Sequence, residues 1–564
     1  MKFIKIFFVL ILFLPLSETT LSQVLTSKSY ENALVVSADK HASEVGKEIL
    51  QRGGNAVDAA VAVQFALAVT LPRAGNIGGG GFMVIHLANG ETAALDFREK
   101  APQDASRNMY IRNGEFDSEL SWEGILAVGV PGTVDGMIKA LERYGRLPLD
   151  VVVEPAIKLA ENGYRLSLSQ AEDLNNHRNT FEKYAASKNY FTPGEPDSFK
   201  EGDFFIQSDL AETLERVARF GREGFYSGPV ADAIVNEMQK NGGLITYNDL
   251  HNYRSKWREA LKTQFKDYEL VFMPPPSSGG IALAQILEMI ENYPLQEMRH
   301  NSAEYVHLLT EAMRRAFADR SYYLGDPDFW DVPQQELIST SYNLDRMSDF
   351  DSNSATPSSS ISEGTVPGYS ESSETTHFSI VDKDGNAVSV TTTLNGSFGS
   401  HVSVGGAGFL LNNEMDDFSA QPGEPNTYGL IGGEANAIEP GKRMLSSMTP
   451  TIVTKEGEIS MVIGAAGGPR IITAALQSFL NVAVFGMRSQ QATSVPRFHH
   501  QWFPDILQID DFGLSPDTKE ILLQKGHNIL ELPTIGRAHN IFIDRSGKRT
   551  SGVDPRGDGH GAGY

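Results

Sequence analysis

The chain has 564 residues, a formal net charge of −23 and no cysteine. That length exceeds what one hydrophobic core usually serves, so two lobes or one large layered domain are expected. The acidic balance argues against nucleic acid or an anionic membrane as partner, and the missing cysteines exclude disulfides, thiolate catalysis and Cys-ligated metals.

In chain order, Lys2 and Lys5 flank an apolar run over 4–16, and polar, small residues follow at 17–22. The run is too short for a membrane span and reads as a signal peptide, residues 1–22, with cleavage near Ser22–Gln23. An uncleaved anchor is the alternative. The mature protein is expected to be secreted, periplasmic or extracellular. Residues 40–52 carry Ala42, Val45 and Ile49 at helical spacing and stop at Gly53-Gly54. Asn55 caps a second helix, 56–69, apolar on nearly every face. Gly78 to Gly81 then open a strand over 82–87. A dinucleotide fingerprint follows a strand and opens a helix, so these glycines are expected to allow close backbone approach instead. A turn at 88–91 leads to a strand over 92–97, and Arg98 stands at its end. An Arg there is either a surface residue or a bidentate clamp for a carboxylate.

Helical patterns over 133–140, 151–161, 210–220, 230–240, 281–290 and 302–324 make the middle of the chain mainly helical, and 322–327 close that part. The run 272–280, with Pro274-Pro275-Pro276, reads as a rigid, exposed connection after a strand. Residues 351–374 are rich in Ser, Thr, Pro and Gly without a hydrophobic period, and are expected to form a flexible segment.

The texture changes at Thr375. Residues 375–381 read as a strand, 382–386 as a turn and 387–394 as a second strand. With Asp384-Gly385 at the tip, the numbers of facing residues sum to 768 or 769. Thr375 then lies opposite Thr393 or Leu394, with Asn395 just beyond. A cut between Glu374 and Thr375 would free an α-amine on a threonine, and that amine can act as base for its own hydroxyl. An ordinary edge hairpin after a linker fits the same pattern.

Residues 408–411 read as a short strand. The loop 421–440 includes Tyr428 and has the length of a lid. A hairpin over 451–463 leads into glycines at 464–468 and a helix over 471–480. That junction presents bare backbone N–H groups, but the Lys-Ser/Thr of a phosphate loop is missing. An oxyanion hole or a tight packing turn remains. His499 and His500 are adjacent and point apart, so no metal site is expected, and no cofactor is implied.

These segments resemble the γ-glutamyltransferase (γ-glutamyltranspeptidase, glutathione hydrolase) family. The resemblance rests on TTH at 375–377, VDKDGNAV at 381–388, TLN at 393–395, NNEMDDF at 412–418, LSSMTPT at 445–451 and GAAGGPRII at 464–472. It extends through GGNAVDAAVA at 53–62, GGGGFM at 78–83, LDFRE at 95–99, AVGVPGT at 127–133, PPPSSGG at 274–280 and PRFHHQW at 496–502. It implies an α+β fold of the N-terminal-nucleophile hydrolase class, two stacked sheets between helix layers (αββα). It also implies self-cleavage between Glu374 and Thr375 into a large subunit, 23–374, and a small one, 375–564, that stay together as a heterodimer.

By position, Thr375 would be the nucleophile and Thr393 would hold its hydroxyl. Arg98, Ser446 and Ser447 would bind the α-carboxylate of a γ-glutamyl group. Asn395, Glu414 and Asp417 would accept from its ammonium. The N–H groups of Gly467 and Gly468 would stabilise the oxyanion, and Tyr428 would belong to the lid. The implied partners are glutathione and other γ-glutamyl compounds, with water or an amino acid or dipeptide as acceptor. A glutaryl-type acylase of the same superfamily is the alternative. Glutaryl substrates lack the ammonium that Glu414 and Asp417 would serve.

Overall fold

The computed structural model describes residues 27–194, 197–361, 375–421 and 432–564. The start signal at Asn55 acts as read, and a second one precedes it. Asp39 accepts from the Ala42 amide and begins the helix Lys40–Gln51. Asn55 and Asp58 form a reciprocal capping box at the head of Ala56–Thr70, whose every residue is buried. No face of that helix needed to be polar, because it is enclosed by neighbouring helices and a sheet.

Two antiparallel sheets lie at the centre. The first runs, in spatial order, His560–Gly563, Leu34–Ser37, Thr376–Val381, Ala387–Thr393, Gly80–His86, Thr92–Asp96 and Lys256–Arg258. The second runs Ser29–Tyr30, Arg549–Val553, Arg537–Ile543, Glu458–Ile463, Thr451–Lys455, Tyr268–Phe272 and Leu261–Phe265, with Ala465–Ala466 paired to Arg537–Ile543. Alternation along the strands separates three apolar layers. Val36, Phe82 and Val84 meet Val271, Ile452, Val462 and Ile541 between the sheets. Their chain neighbours Val35, Met83 and Ile85 face one helix layer. Leu270, Val453 and Met461 face the other, which includes Gly279–Ile290, Ala303–Tyr323 and Arg470–Ala483. This is the expected αββα arrangement.

The hairpin that begins after Thr375 is central, not an edge. It pairs on one side with Leu34–Ser37 and on the other with Gly80–His86. Its register runs from Thr376↔Thr392 to Val381↔Ala387, a constant sum of 768, so Thr375 is set across from Thr393. The glycines before Phe82 allow close approach, as read. A Cβ at Gly79 would lie 2.2 Å from the Thr393 carbonyl oxygen, and one at Gly81 2.4 Å from that of Thr391.

Three expectations need correction. Residues 408–411 are not a strand; Leu410 makes only an isolated bridge to Ser403. The 272–280 connection is buried rather than exposed, because Ser277 and Ser278 bind the backbone at 446–448. Helices continue beyond 327, at Gln334–Leu337 and Thr340–Arg346. Within the segment 351–374, residues 351–361 are mostly exposed but tied down at the buried Ser358. Ser358 donates its hydroxyl to the Trp502 carbonyl at 2.6 Å, and Trp502 Nε1 donates to the Ser358 carbonyl at 3.0 Å. Polar attachment replaces the apolar surface that this stretch lacks. Residues 1–22, Glu374 and Tyr428 lie outside the described residues, as does the rest of the segment, 362–374.

Candidate active site

Thr375 stands at the head of the strand Thr376–Val381, mostly buried, with its Oγ 3.4 Å from Thr393 Oγ. Thr393 Oγ also accepts from the Asn395 amide at 2.7 Å. That contact bends the chain so that Asn395 takes φ +77°, a conformation Asn tolerates better than most residues. Asn395 Nδ2 donates to the Asn413 carbonyl, tying the end of the hairpin to the acidic turn that follows.

That turn, Glu414–Asp417, is a short 3₁₀ helix started by Asn412, whose Oδ1 accepts from the Glu414 amide at 3.0 Å. It aims two carboxylates at one cation. Arg98 Nη1 bonds Glu414, Nη2 bonds Asp417, and Glu99 lies 3.6 Å away. Arg98 is fully buried, and its Nε and Nη2 also reach the carbonyls of Met444 and Leu445 at 3.3 Å. Burial works against its charge, yet Glu414, Asp417 and Glu99 outweigh burial and raise its pKa. So Arg98 is no surface residue.

Ser446 and Ser447 follow directly. The Ser446 amide donates to the Pro276 carbonyl at 2.9 Å, and its carbonyl accepts from both the amide and the hydroxyl of Ser278 at 2.7 Å. Opposite them is the glycine junction. Gly467 and Gly468 hold φ of +133° and +55°, which favours glycine, and a Cβ on Gly467 would press on Gly536 at 3.0 Å. Their carbonyls accept from the amides of Arg470 and Ile471 and so start the helix Arg470–Ala483. Among the described residues neither glycine N–H is engaged in a hydrogen bond.

One cavity joins these groups. Arg98, Thr375, Thr393, Asn395, Glu414, Asp417, Ser446, Ser447 and Gly468 all line it, together with Met448, Pro469 and Ile471. Every predicted site residue among the described ones is therefore in the lining except Gly467, which precedes Gly468 and stands just outside it. The arrangement offers a hydroxyl beside donors for an anion, acceptors for a cation, and idle N–H groups at a helix start. Such a set suits acyl transfer from a zwitterionic group.

Three participants were not read from the sequence. Glu99 sits beside Arg98 with both carboxyl oxygens buried and without a hydrogen-bond partner, and burial pushes it up to about 8 against the pull of Arg98. Adjacency to Arg98 was its only signal. Ser278 lies in the PPPSSGG run, and nothing local said that it turns inward. Arg320 lies on the helix Ala303–Tyr323, and nothing local said that it reaches Ser278 and Ser447. His499 bonds Thr473 and Gln501, and His500 bonds Asp505.

Comparison with known proteins bears on the same residues. Residues 42–564 match the family described as Gamma-glutamyltranspeptidase. The Glutathione hydrolase proenzyme of Escherichia coli (strain K12) is 48% identical over 538 residues, 95% of this chain and 92% of that protein. A solved cephalosporin acylase from Bacillus halodurans superposes with a TM-score of 0.86 at 27% identity, covering 98% of this chain and 99% of that one. A chain of Helicobacter pylori gamma-Glutamyltranspeptidase, 49% identical, covers 58% of this chain and 94% of its own length, with a TM-score of 0.57. A family match over nearly the whole length, a near-half-identical relative and a pocket gathering the shared motifs make this chain a member of the gamma-glutamyltranspeptidase family.

Proposed function

We propose that the protein is a secreted γ-glutamyl hydrolase and transferase that cuts itself between Glu374 and Thr375. The observation that carries this reading is the single cavity lined by Thr375, Thr393, Arg98, Asp417, Ser446, Ser447 and Gly468. The names of its relatives, glutathione hydrolase proenzymes, support both the activity and a processed precursor. The N-terminal pattern of lysines and apolar residues supports secretion.

In self-cleavage, Thr375 Oγ attacks the Glu374 carbonyl carbon. The peptide C–N bond breaks as the C–O ester bond forms, and the hydroxyl proton passes to the nitrogen. Water then hydrolyses the ester, leaving a carboxylate on Glu374 and a free amine on Thr375. In turnover that amine takes the hydroxyl proton while Oγ attacks the γ-carbonyl of the substrate. The N–H groups of Gly467 and Gly468 receive the oxyanion, a role whose loss costs about 2.7–4 kcal/mol per donor. The leaving amine departs with the proton. Water or an acceptor amine then attacks the acyl-threonine ester and restores Thr375.

Binding exchanges charges in pairs. Without substrate, Arg98 is neutralised by Glu414 and Asp417. A γ-glutamyl zwitterion gives its carboxylate to Arg98, Ser446 and Ser447 and its ammonium to Glu414, Asp417 and Asn395. No net charge enters the buried site, so the desolvation cost falls on groups that all find partners.

A second reading, a glutaryl-type acylase, has one observation in its favour: the close superposition on a cephalosporin acylase. A glutaryl group has no ammonium, so its carboxylate would compete with Glu414 and Asp417 for Arg98 and bring no second cation to replace it. Comparing turnover of γ-glutamyl and glutaryl anilides separates the two. The primary test is Thr375→Ala, which is expected to abolish both processing and activity. A Thr375→Ala protein that is still cut and active overturns the proposal.

A further inference from the structure

The helix Ala303–Tyr323 is buried over most of its length, and most of its inward charges are paired. Glu311 bonds Arg315 at 2.7 Å and lies 3.4 Å from Arg314; Asp319 pairs with Arg346 at 3.1 Å. Arg320 differs. It is 5% exposed, and among the described residues no carboxylate lies within ion-pair distance of it. Its hydrogen bonds go to two hydroxyls instead: Nε donates to Ser278 Oγ at 2.9 Å and Nη2 to Ser447 Oγ at 3.3 Å. Burying a guanidinium with no carboxylate bonded to it costs several kcal/mol, so its retention calls for a reason.

Donor and acceptor counting supplies one. A guanidinium has donors only, and a serine hydroxyl has a single proton. Ser447 Oγ accepts from Arg320, so its own proton must point away from the guanidinium. Ser447 lines the cavity that holds Thr375 and Arg98, and that is where a donor is needed. Ser278 Oγ likewise accepts from Arg320 and passes its proton to the Ser446 carbonyl at 2.7 Å, which pins the backbone between the two pocket serines. Burial pulls Arg320 down to about 10 against the attraction of Asp417, so it stays a cation at neutral pH.

We propose that Arg320 is a positioning residue for the substrate α-carboxylate: it turns the Ser447 proton into the cavity and, through Ser278, holds the Ser446–Ser447 backbone in place. The inference rests on the γ-glutamyl reading of the site. Its consequence is that recognition of the carboxylate is built from two guanidinium groups, Arg98 by contact and Arg320 through a serine.

The test compares Arg320→Lys with wild type on a γ-glutamyl anilide and on the 4-aminobutyryl anilide, which is the same substrate without its α-carboxylate. Lysine keeps the charge but, as a single point donor, does not span both serines. The ratio of kcat/KM between the two substrates is expected to fall about tenfold, chiefly through KM, as for one lost charge-assisted hydrogen bond. In the Ser447→Ala background the same change is expected to alter the ratio by no more than about threefold, since only the route through Ser278 remains. Self-cleavage, which engages no substrate carboxylate, serves as the folding check. Should Arg320→Lys fail it, Ser278→Ala takes its place, with a fall in the ratio of about threefold expected for a neutral hydrogen bond. An unchanged ratio, with losses equal on both substrates or multiplying with Ser447→Ala, overturns the role of Arg320. A wild-type protein inactive on the γ-glutamyl anilide overturns the functional reading itself, which keeps the two failures distinct.

Discussion

Replacing Arg98 by glutamine separates what this residue does for the fold from what it does for the substrate. Arg98 is fully buried, while the side chains of its partners Glu414 and Asp417 are 1% and 14% exposed. Removing the cation strands two facing carboxylates in a dry site, and breaking a buried pair in this way costs about 3–5 kcal/mol. It also removes the charge-assisted contact to the substrate carboxylate, worth about 1.5–3 kcal/mol, or about 10- to 150-fold in KM. Melting at a fixed scan rate reads the first effect, and KM for a γ-glutamyl anilide reads the second. Adding Glu414→Gln removes one of the repelling charges. The double variant is expected to regain about half the lost stability while its KM stays high, because no cation has been returned. A single variant with a wild-type melting point, or a KM within about threefold of wild type, refutes the assignment of Arg98 as the shared clamp.

Three further outcomes follow from the same geometry. Asp417→Asn keeps the side-chain volume but removes an acceptor for the ammonium; the preference for γ-glutamyl over glutaryl anilide, measured as a ratio of kcat/KM, is expected to fall about tenfold or more. In Gly464→Ala the new Cβ would lie 2.3 Å from the His377 ring, which Thr391 and Ser379 hold at 2.9 and 3.1 Å, so overpacking of about 1–3 kcal/mol is expected, with a lower melting point and slower self-cleavage. Glu99 titrates near 8 when folded against an ordinary 4.5, so the unfolded chain releases this proton first and stability falls as pH rises between those values. Glu99→Gln removes that titration, and its melting point relative to wild type is expected to rise between pH 5 and pH 8; a difference that does not change with pH contradicts the buried, proton-holding carboxyl.

Much of this could be read before any coordinates, for identifiable reasons. The helix start at Asn55, the hairpin turn at Gly385 and the glycine junction at 464–468 are local rules, and local rules survive folding. The register that faces Thr375 with Thr393 followed from the tip of the turn alone. What failed was long-range. Pro274 to Pro276 looked exposed because nothing in the run names the serine loop at 446–448 that covers it. The tie at Ser358 gave no sign because its hydroxyl and backbone bonds go to Trp502 and Asp505, over 140 residues away in the chain. Arg320 was invisible as a site residue for the same reason: its meaning depends on Ser278 and Ser447, which only the fold brings to it.

The central claim is a backbone cut that gives Thr375 a free amine. Sequencing the N-terminus of the smaller fragment from purified, active enzyme tests it most directly. The account predicts a single start, Thr-Thr-His-Phe-Ser, corresponding to Thr375 through Ser379. A fragment beginning elsewhere, or full activity in a chain that remains uncut, contradicts it.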